Sequence, residues 1–179
     1  VYDVPITGTM AHSYIEAHDD EDAAVRALAE QYPETILLVD TYDTLDGVGH
    51  VIDLAEELGS EFRVRGIRLD SGDLGALARE ARSLLDEAGL EEVDIFASGG
   101  LDEFEIRRLL EEEEAPIDGF GVGTRMGVSE DAPSLDSAYK LVAYDGRGRM
   151  KLSTGKATLP GRKQIWREEE NRIARGDVI

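Results

Sequence analysis

The chain has 179 residues, enough for one domain with a sizeable core and too few to demand two. Its formal net charge is -20, with 39 acidic residues against 19 basic ones, a field that repels nucleic-acid phosphate and removes nucleic acid from the expected partners. There is no cysteine, which excludes disulfides and thiolate metal sites; with no signal peptide and no apolar run near the roughly 20 residues of a membrane span, a soluble cytoplasmic protein is expected.

The carboxylate-rich, lysine-poor composition also matches proteins adapted to high salt. The chain opens on Val1, without an initiator methionine, and runs directly into an apolar stretch, which reads as a fragment. Residues 4–9 are the first expected strand, and one helix is expected from Ala11 towards Tyr32.

Further short apolar runs follow at 36–39, 64–69, 93–97 and 117–122. Their spacing of roughly 24 to 29 residues is that of a strand, a crossover helix and two short loops. Between them, Val48, Val51, Ile52, Ala55 and Leu58 form one helical stripe, and Leu77, Ala78, Ala81, Leu84 and Leu85 another. Asp43, Asp73 and Asp102 read as N-caps, and Gly59 and Gly89 as helix ends. The alternation predicts a parallel α/β sheet with right-handed crossovers, its strands in sequential order.

Residues 136–142 are expected to form a last helix, and the glycines after it suggest hairpins and a polar surface run at 168–171. The predicted organisation is a partial α/β barrel over 1–142 and a β-rich C-terminal segment over 143–179.

In parallel α/β folds the reacting groups gather at the carboxyl ends of the strands. Ser98-Gly99-Gly100 and Gly121-Val122-Gly123-Thr124 are glycine-rich turns from a strand towards a helix, where free N–H groups can hold a phosphate. Either loop alone is an ordinary tight turn; two on adjacent strands point to phosphate. Arg68, Asp70 and Asp73 share one strand end, suited to a ribose diol, a diphosphate or its Mg²⁺, or to a loop-internal ion pair. Asp40, at the very end of its strand, is a better site candidate than Asp43. His12 follows the first strand end and faces these loops, whereas His18 and His50 fall within helices and read as structural.

Gly8-Thr9-Met10-Ala11-His12-Ser13, Val39-Asp40-Thr41-Tyr42-Asp43, Arg68-Leu69-Asp70-Ser71-Gly72-Asp73, Ser98-Gly99-Gly100-Leu101-Asp102 and Gly119-Phe120-Gly121-Val122-Gly123-Thr124 together resemble the loops of nicotinate phosphoribosyltransferases. The tail, Lys151-Leu152-Ser153 and then Lys156-Ala157-Thr158-Leu159-Pro160-Gly161-Arg162-Lys163-Gln164, resembles that family's C-terminal signature. The resemblance implies an incomplete parallel (β/α) barrel of the type II phosphoribosyltransferase kind. It also implies a reaction that joins nicotinate to phosphoribosyl pyrophosphate with coupled ATP hydrolysis, on the route to NAD. His12 would take the phosphoryl group, Thr9 and Arg68 would lie at the nicotinate, and Asp70 would face the ribose. Gly100, Gly121, Gly123 and Thr124 would hold the 5-phosphate, with Asp40 and Asp70 at Mg²⁺, in a homodimer. Two alternatives use the same loops: a nicotinamide phosphoribosyltransferase, and a phosphate-sugar-binding half-barrel without catalysis. Leu69 after Arg68 and the tail favour nicotinate over nicotinamide.

Overall fold

The computed structural model describes residues 9–129, 131, 135, 137–153, 155–164, 166–170 and 173–178, with side chains omitted for 167–170 and 173–178. Eight strands and six α-helices are described, in the order α1 (His12–Ala17), α2 (Glu21–Gln31), β1 (Ile36–Leu38), α3 (Thr44–Leu58), β2 (Gly66–Leu69), α4 (Leu74–Glu87), β3 (Asp94–Ser98), α5 (Glu103–Arg107), β4 (Gly119–Gly121), α6 (Thr124–Gly127), then β5 (Ala143–Tyr144), β6 (Arg147–Gly148), β7 (Trp166–Glu170) and β8 (Ile173–Val178).

Strands β1 to β4 form one sheet in that order, and every pair is parallel. Sequential order leaves no switch point, so right-handed crossovers carry the helices to one face and the strand ends converge on one rim. The expected first strand at 4–9 lies outside the described residues except for Thr9, which makes a parallel bridge to Ile36 on the open side of β1.

β1 is buried along its whole length, whereas in β2 and β3 Arg68, Asp94 and Phe96 are only half-buried and alternate with fully buried side chains. Leu37, Leu38, Val39, Ile67, Leu69, Ile95 and Ala97 are all fully buried. Each of the larger side chains among them contributes roughly 1.5–3 kcal/mol on removal from water. The facing stripes are Val48, Val51 and Leu54 of α3 and Ala78, Ala81 and Leu85 of α4. Leu54 is therefore a core residue that the predicted α3 stripe left out. The capping assignments hold: Asp43 accepts from Leu45 and Asp46 N–H, Asp73 from Ala76 N–H, and Asp102 from Phe104 and Glu105 N–H.

Three expectations are corrected. The predicted single helix over 11–32 is two helices, because the Asp20 side chain turns back to cap α2 through Ala23 N–H and ends any continuous run. His18 consequently caps the end of α1 rather than lying inside a helix, its Nδ1 paired with the Tyr14 carbonyl. The expected helix over 136–142 is absent from 137–142; Asp136 itself lies outside the described residues. Leu135 and Tyr139 are fully exposed, so a helix there would have no core to dock on, and one so short does not persist in water.

The C-terminal part consists of two antiparallel hairpins, β5–β6 and β7–β8. The polar run at 168–171 falls largely in β7, and its side chains lie outside the described set. No helix of the described residues is long and apolar enough to cross a membrane.

Candidate active site at the strand ends

After the Thr9 bridge the chain turns through buried Met10 and starts α1 at His12, which delivers the imidazole over the ends of β1 and β2. His12 Nδ1 lies 3.0 Å from Thr41 Oγ1, and Nε2 lies 2.5 Å from Lys151 Nζ. An ammonium group can only donate, so Nε2 accepts; Nδ1 then carries the ring proton and donates it to Thr41. Nε2 also faces two carboxylates, 3.6 Å from Asp70 Oδ2 and 4.0 Å from Asp40 Oδ1.

Asp40 is 1% exposed. Its Oδ2 accepts from Asp70 N–H at 3.2 Å and from the Ser71 hydroxyl, while Oδ1 is buried with no hydrogen-bond partner. A solitary buried carboxylate oxygen is costly, and it faces the imidazole of His12. Asp70 is held on both sides: Ser98 Oγ donates to Oδ1 at 2.7 Å and Lys156 Nζ to Oδ2 at 2.8 Å. Burial alone would raise the pKa of Asp70, but the donors around it, Lys156 and Ser98 among them, outweigh it and hold the carboxyl well below the usual carboxylate range. The opposite balance acts on Lys151, which burial pushes down from its ordinary value despite the attraction of Asp40 and Asp70.

Two of these cations come from the C-terminal segment, which lies across the strand ends like a strap. Leu152 N–H donates to the Thr41 carbonyl at 3.0 Å, and the Ser153 hydroxyl donates to the Asp40 carbonyl. Those bonds set Lys151, 2% exposed, against His12, and Lys156 against Asp70.

A cavity of about 400 Å³ opens beside the cluster, lined among others by Met10, His12, Arg68, Asp70, Lys140 and Lys151. Arg68 reaches its rim from β2, donating to the Met10 carbonyl at 2.9 Å, while its Nε is buried without a partner. Thr9 is not in that lining; its hydroxyl donates to the Ile36 carbonyl at 2.6 Å.

The two glycine-rich loops are neighbours, because Ser98 pairs with Gly121 in the β3–β4 register. Gly99 has φ +99°, and a Cβ there would stand 2.3 Å from the Asp70 carbonyl oxygen, so only glycine lets this turn close on the β2 end. Gly100 also has positive φ. Gly123 and Thr124 open the single turn of α6, away from the cavity beside His12. The structure thus brings His12, Asp40, Asp70 and Ser98 into one hydrogen-bonded group with Arg68 on its flank. Gly99, Gly100, Gly121, Gly123 and Thr124 follow along the next two strand ends.

Sequence reasoning missed Thr41, Ser71, Lys151, Ser153 and Lys156 as members of this cluster. The signal was present in the tail, where Lys151 and Lys156 stand out in a lysine-poor chain, yet nothing local shows that they fold back onto β1 and β2.

No family model matches the chain. It is 59% identical over 178 residues to the nicotinate phosphoribosyltransferase pncB2 of Mycobacterium tuberculosis, a match that covers 99% of this chain. It is homologous to a segment of nicotinate phosphoribosyltransferase. The nicotinate phosphoribosyltransferase of Bacillus subtilis is 42% identical over 187 residues, and that of Homo sapiens 38% over 164. The chain spans 38% of the length of the two bacterial relatives and 30% of the human one. Solved nicotinate phosphoribosyltransferases share the fold: that of Vibrio cholerae has a TM-score of 0.67 over 87% of this chain and 41% of its own, at 22% identity. That of Porphyromonas gingivalis has a TM-score of 0.60 over 86% of this chain and 44% of its own. The incomplete parallel barrel expected from the sequence is the fold these enzymes have.

Proposed function

We propose that this chain carries the phosphoryl-accepting histidine and the phosphoribosyl site of an ATP-coupled nicotinate phosphoribosyltransferase, which serves NAD biosynthesis as a cytoplasmic homodimer. The observation that carries this reading is the convergence of His12 with Asp40, Asp70 and Lys151 at the rim of a parallel sheet, next to paired glycine-rich turns.

In the nucleotide-forming step the ring nitrogen of nicotinate attacks C1 of phosphoribosyl pyrophosphate. The C–N bond forms as the bond from C1 to the pyrophosphate oxygen breaks. Positive charge grows on the sugar in the transition state, and the ionised Asp70, held low by its donors, is suited to face it. Arg68, with an unspent buried Nε, supplies a cation for the nicotinate carboxylate, a group that nicotinamide lacks. Thr9 serves the same subsite through the loop it anchors at Ile36. The turns at Ser98, Gly99 and Gly100 and at Gly121, Gly123 and Thr124 offer backbone N–H groups to the 5-phosphate.

In the coupling step a neutral imidazole nitrogen of His12 attacks the γ-phosphorus of ATP. An N–P bond forms, the P–O bond to ADP breaks, and water later releases the phosphate. The hydrogen bond to Thr41 fixes the ring, and Nε2 becomes the nucleophile once Lys151 Nζ has withdrawn from its lone pair.

Asp40, Asp70 and His12 present ligand atoms within 4.8 Å of one another, and the partnerless Asp40 Oδ1 suits a hard cation. Bound there, Mg²⁺ would neutralise charge on the diphosphate.

The test is product formation by the full-length protein with nicotinate, nicotinamide and quinolinate in parallel, each with phosphoribosyl pyrophosphate, with and without ATP. Preference for nicotinate and stimulation by ATP are expected; preference for either other pyridine overturns the substrate assignment.

A further inference from the structure

We propose that Lys151 is the resident counter-cation of the His12–Asp40–Asp70 cluster, and that a divalent cation entering the cluster must displace its ammonium group. This rests on reading the cluster as the cation site of the transferase, and adds what stands there first and what has to move.

The lone pair of His12 Nε2 that a metal would use is the one taken by Lys151 Nζ at 2.5 Å. Lys151 is also 4.0 Å from Asp70 Oδ2, so the ammonium group and a divalent ion would draw on the same acceptors. A metal at bonding distance from Nε2, about 2.0–2.3 Å, cannot share it with an N–H donor. A second cation so close would also repel the first in a poorly hydrated site.

The backbone of Lys151 is fixed, since its N–H donates to Thr158 Oγ1 at 3.1 Å and the next N–H donates to the Thr41 carbonyl. Displacement is therefore a side-chain rotation. The cavity that Lys151 lines gives it somewhere to go, and Glu16 on the same lining offers a carboxylate to receive the ammonium. Burial disfavours the ionised form of Glu16, while His12, Lys140 and Lys151 favour it. In this arrangement the apo cluster stays charge-compensated without metal, and metal binding is coupled to movement of a residue from the C-terminal strap.

The experiment is Mn²⁺ binding followed by electron paramagnetic resonance on the full-length protein, on Lys151→Met and on Lys140→Met. Lys140 lines the same cavity, so its loss controls for a long-range charge effect. Lys151→Met is expected to lower the Kd for Mn²⁺ by about tenfold or more, and Lys140→Met to change it by less than about threefold. Unchanged or weaker binding by Lys151→Met overturns the proposal, as does an equal gain from Lys140→Met. A second measurement needs no variant: reductive methylation of Lys151, read by mass spectrometry, should rise when the unmodified protein is saturated with Mn²⁺. Protection that persists at saturation overturns the displacement. If neither the wild-type protein nor Lys151→Met binds Mn²⁺, the cation site falls together with this proposal. Product formation from nicotinate is scored separately and tests the transferase reading by itself.

Discussion

Lys156 Nζ lies 2.8 Å from Asp70 Oδ2, joining the C-terminal strap to the end of β2 across 86 residues of sequence. Asp70 has a lowered pKa in the folded state, so its stabilising contribution is present above its unfolded value, about 3.9, and is lost as pH falls towards its folded value. Removing the Lys156 cation raises the folded pKa towards the unfolded one, so the contribution of Asp70 is smaller and is exhausted at a higher pH. Lys156→Met is expected to shift the acid-unfolding midpoint upwards. At pH 7 it should cost only about 1 kcal/mol, because the lysine is 40% exposed. Equilibrium denaturation across pH 2 to 7 checks both points, and an unmoved acid midpoint contradicts the coupling.

Glu21 makes the opposite case. It is 6% exposed at the start of α2, with His50 Nε2 3.9 Å from Oε2 and with Oε1 lacking a partner. Burial first, then the charges of Asp40, Asp46 and Asp43, push its pKa up to about 7. The folded state therefore holds a proton that the unfolded chain has released, and the stability this gives is complete below about pH 4.5 and disappears as pH rises through 7. Glu21→Gln should remove that slope and make the protein more stable than wild type at pH 8, by on the order of 2–3 kcal/mol. Urea melts at pH 5 and pH 8 provide the check; an equal gap at both values would mean that Glu21 does not titrate in this range.

The glycines of the two phosphate-binding candidates should respond differently. At Gly99, positive φ and the Asp70 carbonyl leave no room for a Cβ, so Gly99→Ala is expected to cost about 2 kcal/mol or more and to disturb Asp70 as well. At Gly123 the backbone has φ −130°, and nothing lies within 4 Å of an added Cβ. Gly123→Val therefore meets no steric clash with the rest of the fold and should raise the KM for phosphoribosyl pyrophosphate by about tenfold, the equivalent of one hydrogen bond to an anion. A folded Gly123→Val protein with unaltered KM places the phosphate elsewhere.

For His12 the readout is the label itself. Incubation with ATP labelled in the γ-phosphate should give an acid-labile, base-stable phosphoprotein. His12→Asn should abolish that label and the ATP stimulation, while some ATP-independent turnover survives on the other loops. Acid-labile phosphate persisting in the variant would assign the phosphoryl group to another residue.

The sequence by itself determined the parallel sheet, because buried runs such as Ile36-Leu37-Leu38 and Ile67 in a βα spacing allow few other arrangements. It also determined the caps at Asp43, Asp73 and Asp102, since capping is settled within one turn of chain. His12, Asp40 and Asp70 were legible as well, because strand ends of one parallel sheet share a rim wherever the strands lie in order. Where apolar periodicity was the only guide, at 11–32 and 136–142, the reading failed: a side-chain cap broke the first helix, and the second had no partner surface. What only the tertiary structure decided was the second half of the cluster. Lys151, Ser153 and Lys156 reach His12, Asp40 and Asp70 through hydrogen bonds from the strap to the backbone at the end of β1. Such non-local bonds depend on where the folded chain returns in space, and no local pattern of residues encodes that return.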